Sequence, residues 1–416
     1  MTLLETPRGT IARPFPWGGL IVLACVVFLS VTAETLPTGL LPDMSSTLGV
    51  SEPQVGLLVT IFAVSVVATS APLTALTRRW PRRGLLVGVI LVLGISNLLA
   101  ALAPDFGWVV ATRVLGGMAH GMFWAIVGAY AGHLVPKEQI GRAVSIIIGG
   151  GTLAFVFGVP VATAAGHAFG WRMSFAGLGM LTVLGAALVW LFLPVVARSG
   201  AADAHAAASA RAPKAKRPRD ASIPAVLTVC GLATVIMIGH YAFYTYIAPF
   251  MISVMGVDAG AVGPLLFLYG AAGAIGLIIA GSVFGPRPQL GLVTMIALAG
   301  VSVSLLAVFA ATPVLGLAAF LLWGLAFGAL PPLLQTRLLH ASSASFRDTA
   351  SALYTTAFNI GIGGGALVGA VVYGAFGLGE LPWIYVALLA IALVLIVVIP
   401  LVAPLLRRAQ PERLRR

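Results

Sequence analysis

Long apolar segments constrain this chain more than any other feature. A helix needs about 20 apolar residues to cross the roughly 30 Å hydrocarbon core of a bilayer. Twelve segments meet this requirement, and 60% of the 416 residues are hydrophobic while 9% are charged, which excludes a water-soluble domain of this length. The sequence therefore predicts an all-α, multi-pass membrane protein. The predicted spans are residues 17–41, 53–77, 84–103, 107–133, 140–168, 173–196, 222–249, 259–284, 289–311, 314–339, 347–376 and 382–405.

The distribution of charge predicts how the chain is oriented in the membrane. All 24 Lys and Arg residues except Arg113 and Arg172 fall in the N-terminus, in alternate loops and in the C-terminal tail, whereas the opposite loops are acidic. Basic residues are enriched in cytoplasmic loops, so both termini are predicted to be cytoplasmic. The net charge of +12 is explained by this topology and does not indicate nucleic-acid binding.

The chain repeats itself at an offset of 207 residues. Two six-helix halves are therefore predicted, residues 1–196 and 222–416, joined by a cytoplasmic linker at 197–221 that is rich in Ala, Lys, Arg and Pro. Parallel six-helix repeats are typical of secondary transporters that rock around a site near the membrane midplane. The matched pairs include Pro42 and Pro249, Gly49 and Gly256, Gly117 and Gly324, and Gly170 and Gly377.

A single carboxylate lies inside the first span. A charged side chain at the centre of a bilayer costs about 2.5–3.5 kcal/mol on insertion scales, so it usually faces a cavity or a partner and marks function. Ser30, Glu34 and Thr38 recur every four residues and share one stripe of a helix. Glu34 is therefore the leading candidate for proton coupling, and Thr38 is a candidate substrate contact.

The fourth span carries a second charge. Arg113, Gly117, His120 and Trp124 lie on one helical face, which combines a cation, an imidazole and a large aromatic ring. A nearby arginine favours the charged form of a carboxylate and burial opposes it, so Glu34 could switch with conformation or form a static pair with Arg113. His120 and Trp124 are candidate substrate contacts, and for His120 both proton shuttling and a simple core hydrogen bond remain open.

The second half carries aromatic rings where the first half carries the acid. At the repeat offset, Tyr241 takes the position of Glu34 and Thr245 that of Thr38. Such a segment could line a pocket for partly apolar solutes with some polar groups, and ordinary core packing is the alternative. The candidate substrate contacts in this half are His240, Tyr241, Tyr244, Thr245, Gln335 and Asn359.

Four motifs give the chain a resemblance to a known family. They are A-E-T-L-P-T-G-L-L-P in the first span, T-R-R-W-P-R-R after the second, R-V-L-G-G-M-A-H-G in the fourth and G-V-P-V-A-T-A-A-G in the fifth. With them the chain resembles the major facilitator superfamily, specifically the bacterial twelve-helix drug and sugar efflux branch that includes arabinose-efflux permeases and chloramphenicol exporters. The resemblance implies a bacterial plasma (inner) membrane location and associates Arg113 with proton transfer.

Two of these motifs depart from the usual family pattern. The loop after the second span usually has G-x-x-x-D-R-x-G-R-R, and here Thr77 replaces the acid, so the gating latch implied by the family is altered. The alternative is that the arginines only hold this loop in the cytoplasm. The fifth span usually has G-P-x-x-G-G, and here Gly158 and Pro160 begin a variant typical of the sugar and amphenicol branch. The candidate gating cations are Arg78, Arg79, Arg82 and Arg83.

The sequence thus predicts a monomeric, proton-coupled exporter of a drug, sugar or related metabolite that works by alternating access. Its predicted partners are a small-molecule substrate, protons and the lipid bilayer. The proton gradient is the predicted energy source, without a cofactor, because no Cys/His spacing indicates a metal site.

Two other functions remain open at this stage. An importer or uniporter would use the same fold and residues, and a non-transporting membrane receptor is the rival from another class. An enzyme is not predicted, because the sequence offers no nucleophile with a positioned base.

Overall fold

The computed structural model describes residues 15–77, 79–136, 139–194 and 220–409, and these parts of the chain contain 12 helices that are long and apolar enough to cross a membrane. The predicted fold class is confirmed. The linker predicted at 197–221, except for its last two residues, and the tail beyond residue 409 lie outside the described residues. The helices are α1 (Trp17–Gly39), α2 (Leu41–Leu48), α3 (Glu52–Leu76), α4 (Arg82–Ala101), α5 (Phe106–Leu134), α6 (Ile140–Leu153), α7 (Val159–Phe169), α8 (Trp171–Phe192), α9 (Ile223–Tyr244), α10 (Ile247–Ser253), α11 (Ala259–Ser282), α12 (Pro288–Phe309), α13 (Pro313–Ala341), α14 (Arg347–Phe376) and α15 (Leu381–Ala409).

The first and seventh spans are shorter than predicted, because each breaks before a proline. The first was predicted to reach residue 41 and the seventh residue 249, but α1 ends at Gly39 and α9 at Tyr244. Pro42 and Pro249 then lie in the first turns of α2 and α10. Proline is tolerated in a first turn, but inside a helix its ring clashes with the carbonyl four residues earlier.

Left-handed glycines mark the same repeat. Among the described residues, the glycines with positive φ are Gly49 at 66° and Gly256 at 68°, and Gly170 at 88° and Gly377 at 93°. Each pair is separated by the offset of 207 residues. Because only glycine adopts this region at no steric cost, the repeat-related loops have kept the same backbone conformation.

The two halves meet along two helix pairs, α3 with α14 and α7 with α11. Thr60 Oγ1 donates to the Gly363 carbonyl at 2.9 Å, and the Tyr373 hydroxyl donates to Glu52 Oε2 at 2.6 Å. The ring of Tyr246 lies where a side chain at position 56 would be. These contacts lie towards the end of the bundle that carries α2 and α10, so the halves are closed against each other there.

Helix α1 lies at the centre of the first half. It packs against α3, α6, α7 and α8, and every residue from Leu29 to Gly39 is buried. The polar stripe predicted from the sequence therefore faces the protein interior.

Candidate functional site

A proline determines where the arginine of α5 binds. Pro37 lies inside α1 and has no N–H, so the Ala33 carbonyl loses its partner within the helix. Arg113 Nη1 donates to that carbonyl at 2.8 Å, and Nη2 donates to the backbone carbonyl of Glu34, also at 2.8 Å. The planar guanidinium can satisfy two adjacent acceptors at once, and so it bridges the gap that Pro37 leaves in the backbone hydrogen bonding of α1.

The arginine is also held by an aromatic ring of α3. The guanidinium carbon of Arg113 lies 4.2 Å from the centroid of the Phe62 ring, which is a cation–π distance. Arg113 is 3% exposed, so its charge is held by two carbonyl dipoles and an aromatic face within the protein.

The carboxylate of Glu34 contacts an imidazole. Its Oε2 lies 3.4 Å from His120 Nε2, and the other ring nitrogen, Nδ1, lies 2.8 Å from Ser30 Oγ. Among the described side chains, no ion pair joins Glu34 to Arg113 within 4 Å. The static Glu34–Arg113 pair considered from the sequence is therefore not formed, and Nη1 and Nη2 of the guanidinium donate to backbone carbonyls instead.

Aromatic rings enclose the imidazole on α3 and α5. The centroid of His120 lies 5.2 Å from that of Phe62 and 6.2 Å from that of Trp124, both with edge-to-face geometry. Because these rings offer no strong acceptor, the polar neighbours of His120 among the described residues are Ser30, Glu34 and, through its charge, Arg113. The sequence-predicted face of α5 is thus assembled around Glu34.

The second half contributes an aromatic wall, formed by His240, Tyr241, Tyr244, Tyr269 and Phe327. The ring of His240 stacks on Phe327 with centroids 3.3 Å apart, and on Tyr244 at 5.0 Å. His240 Nδ1 and the hydroxyl of Tyr269 are buried without a hydrogen-bond partner among the described residues. Tyr241 is an electrostatic neighbour of Glu34 across the interface. The polar wall formed by Glu34 and His120 and the aromatic wall of the second half therefore meet at Tyr241.

The repeat has diverged at the centre of each half. At the offset of 207 residues, Arg113 corresponds to Phe320 and Phe62 corresponds to Tyr269. Phe320 and Tyr269 form an aromatic pair with centroids 4.9 Å apart, where the first half has a cation–π pair. The ionisable chemistry is concentrated in the first half and the aromatic surface in the second.

Several predicted contacts are not directed into this centre. Thr38 Oγ1 donates to the Thr35 carbonyl, and Asn359 Nδ2 donates to the Thr355 carbonyl of its own helix at 3.0 Å. Gln335 is exposed on α13, and Thr245 is buried at the end of α9 with no partner for its hydroxyl among the described residues. A role for these four side chains in substrate binding stays a prediction.

The loop after α3 contacts its own half. Arg83 donates to the Trp190 carbonyl, and its guanidinium carbon lies 4.5 Å from the Trp190 ring. Thr77, which replaces the expected acid, donates to the Leu73 carbonyl at the end of α3. Arg79 is exposed, Arg82 is half-buried and Arg78 lies outside the described residues, so gating by this loop stays a prediction.

The motif of the fifth span, with Gly158 and Pro160, begins at the end of a π-helical turn at Ala154–Gly158. Pro160 lies in the first turn of α7, and its missing N–H accounts for the local change of helix type. Gly158 lies against Thr32 and Phe28 of α1, and a side chain there would collide with them. The motif is thus built for close packing around α1.

Three residues important to this geometry were not among the predicted site residues. Ser30 was noticed only as part of the polar stripe, and Phe62 gives no signal beyond its repeat partner Tyr269. Pro37 was visible in the first motif, and the rule that a proline frees the carbonyl four residues earlier could have identified Ala33 as an acceptor.

A comparison with protein families decides the broader class. The model described as Major Facilitator Superfamily matches residues 23–363, which is most of the chain. The chain belongs to the major facilitator superfamily. Members of this superfamily are transporters, so the predictions of a transporter and against an enzyme are confirmed.

Curated relatives and solved structures agree with this assignment. Two proteins of Mycobacterium tuberculosis named chloramphenicol efflux pump, Rv0191 and MT0201, are each 34% identical over 383 residues, which cover 89% of this chain and 91% of theirs. A D-xylose-proton symporter is similar in fold, with a TM-score of 0.74, 16% identity, and 92% of this chain and 97% of that one covered. A bacterial homologue of the human lysosomal transporter Spinster, in an inward-facing and unoccupied conformation, is also similar in fold. Its TM-score is 0.68 and its identity 19%, and the match covers 94% of this chain and 96% of that one.

Proposed function

We propose that this superfamily member exports an amphenicol-type drug or a similar solute in exchange for protons. The observation that carries the proposal is the buried carboxylate of Glu34, which contacts His120 in the first half and faces the aromatic wall of the second. An ionisable group inside a transporter is a natural carrier of the coupled proton. The names of the M. tuberculosis relatives support efflux as the direction and chloramphenicol as the first substrate to test.

The two walls suit such a solute. Aromatic rings of the second half provide stacking faces, while Glu34 and His120 provide polar partners. A molecule that combines an aromatic ring with hydroxyl and amide groups would use both walls, since ligand sites pair a largely apolar lining with a few placed polar groups.

In the proposed cycle, the cytoplasmic side is the end that carries the basic loops. Glu34 takes up a proton when the cavity opens outward, and this removes a charge and a hydrogen-bond acceptor, so the substrate leaves. Inward opening lets the proton depart and substrate bind again. The proton and the substrate can drive the cycle because each binds the two conformations with different affinity.

Everted vesicles with a pH-gradient dye test this proposal. Addition of chloramphenicol should collapse the gradient in wild type, whereas sugars, nucleosides and lipophilic cations show whether the substrate class is wider. Glu34→Gln keeps the size of the side chain but cannot release a proton, so coupled flux should fall about a hundredfold, within the range for lost proton transfer. Glu380→Gln, which removes an exposed carboxylate, is the matched control. Unchanged coupled flux in Glu34→Gln would contradict the assignment.

A further inference from the structure

Ser30, His120 and Glu34 form an unbranched row of polar groups inside the first half. The row runs from Ser30 Oγ through Nδ1 and Nε2 of the imidazole to Glu34 Oε2, with separations of 2.8 and 3.4 Å. Ser30 is 0% exposed and His120 is 3% exposed. Nη1 and Nη2 of Arg113 donate to the Ala33 and Glu34 carbonyls, whereas its Nε has no hydrogen-bond partner among the described residues.

The same heavy atoms accommodate two arrangements of protons. When Glu34 is ionised it can only accept, so Nε2 carries the imidazole proton towards it and the Ser30 hydroxyl donates to Nδ1. When Glu34 is protonated its hydroxyl can donate to Nε2, and Nδ1 then carries the proton and donates to Ser30 Oγ. The second arrangement contains one more proton than the first. A proton that reaches Glu34 from the outer side leaves the ring as the Nε2–H tautomer, so the ring must return to the Nδ1–H tautomer, by proton exchange with water, before each release.

We propose that Ser30 and His120 relay the coupled proton between Glu34 and the cytoplasmic side, an inference that rests on the proposed function. In release, Glu34 gives its proton to Nε2, Nδ1 gives its proton to Ser30 Oγ, and the hydroxyl passes its own proton to water that reaches Ser30 once the halves open at this end. Ser30 lies one helical turn from Glu34 towards the beginning of α1, the end predicted to be cytoplasmic. Serine suits this position because its hydroxyl both donates and accepts.

The imidazole tautomer is the direct test. The full-length chain is labelled with ¹⁵N-histidine in lipid, and its imidazole signals are recorded over a pH titration, with His120 identified by its absence in His120→Gln. We expect the Nε2–H tautomer at high pH and the Nδ1–H tautomer once Glu34 is protonated. Ser30→Ala should abolish this exchange and Ser30→Thr should retain it. A tautomer that stays the same at every pH in wild type would overturn the relay.

Transport measurements separate the relay from a merely structural role. Uptake driven by a proton gradient requires net proton release, whereas exchange of labelled for unlabelled chloramphenicol does not. Ser30→Ala and His120→Gln should lose at least about tenfold in proton-driven uptake and keep exchange, because glutamine can hydrogen-bond to Glu34 but cannot pass a proton on. Full proton-driven uptake in His120→Gln would overturn the proposal.

The proposed function and the relay can fail separately. If wild-type vesicles exchange no protons for chloramphenicol, the proposed function fails. The tautomer titration does not depend on transport, and so it still decides whether His120 changes tautomer with the protonation of Glu34, as the relay requires.

Discussion

At the level of single residues, Pro37 and Arg113 depend on each other. The proline removes the donor to the Ala33 carbonyl, and the guanidinium replaces it from another helix. An unsatisfied buried carbonyl costs about 1–3 kcal/mol, so the pairing contributes to stability whether or not Arg113 takes part in proton movement.

A double-mutant cycle checks this dependence. Arg113→Lys should lower stability by about 1–3 kcal/mol, because an ammonium group cannot bridge two carbonyls in the planar fork of a guanidinium. Pro37→Ala restores an N–H for the Ala33 carbonyl, so Arg113→Lys should cost less in that background. Thermal unfolding of the purified variants measures the difference. Equal costs in both backgrounds would show that the two residues act independently.

Asp220, just before α9, makes stability depend on pH in a defined direction. Hydrogen bonds from Ser222 and Ser343 lower the pKa of Asp220 to about 2. A carboxyl whose pKa is lowered by folding stabilises the protein above its unfolded value of about 3.9, and the stabilisation is lost as the pH falls towards 2. Asp220 also accepts a hydrogen bond from Ser345, so it stabilises the loop between α13 and α14.

Asp220→Asn should therefore slightly lower the midpoint of thermal unfolding at pH 7. The difference from wild type should stay constant between pH 5 and 8 and should shrink below pH 4. Thermal scans across this range measure it, with Asp258→Asn as a control for an acid outside this serine cluster. A difference that grows on acidification would contradict the assignment.

The sequence predicted which residues lie near Glu34 better than it predicted which of them contact each other. Spacing along α1 and along α5 predicted which residues share a face of each helix, and in the structure Glu34 contacts His120 across the two helices. Spacing could not show that Arg113 binds carbonyls rather than the carboxylate, because that choice depends on the carbonyl freed by Pro37 and on the position of Phe62. Cross-helix geometry of this kind is not contained in the periodicity of one helix.

At the level of helices, length and hydropathy predicted the spans well. The eleventh span was predicted at 347–376, and α14 runs from Arg347 to Phe376. The interruptions that were not predicted fall at Leu40 and Thr245, where α1 and α9 have ended, and in the fifth span, where a π-helical turn interrupts the helix. Leu40 and Thr245 lie two and four residues before Pro42 and Pro249, and the π-helical turn ends two residues before Pro160, so nearby prolines explain these interruptions.

Helix α11 is shaped to approach the π-helical turn closely. A Cβ at Gly270 would lie 2.5 Å from the Phe155 carbonyl oxygen and 2.8 Å from Val156 Cα. Gly270→Ala should therefore push α11 away from the first half and weaken the closed arrangement, with transport falling about tenfold. Gly281→Ala, on the same helix with no neighbour within 4 Å, is the matched control. Comparable transport by the two variants would show that this contact does not matter.

At the level of the whole molecule, the closed end is held by few polar contacts between the halves. The bond from Tyr373 to Glu52 is charge-assisted when the acid is ionised, and such bonds are stronger than neutral ones. A protein that alternates between two conformations needs closures of this modest strength, because a ligand can shift the balance only by its difference in affinity.

Tyr373→Phe should shift the population towards opening at this end by about tenfold, the equivalent of roughly 1.4 kcal/mol. Spin labels at Ser46 and Ser253, which are exposed and repeat-related, would report a larger share of long distances in a background without Cys25 and Cys230. Tyr354→Phe, which removes a hydroxyl bonded to Pro331 within one half, is the control. An unchanged distance distribution in Tyr373→Phe would assign closure to helix packing alone.

The hydrogen bond from Arg113 to the Ala33 carbonyl also matters while the protein is being synthesised. Arg113 follows Ala33 by 80 residues, so the first helix leaves the ribosome well before its partner has been synthesised. During that interval α1 carries an acid and an unpaired carbonyl, both of which are poorly soluble in lipid. We therefore expect the first helix to stay in contact with water or the insertion machinery until α5 has been synthesised.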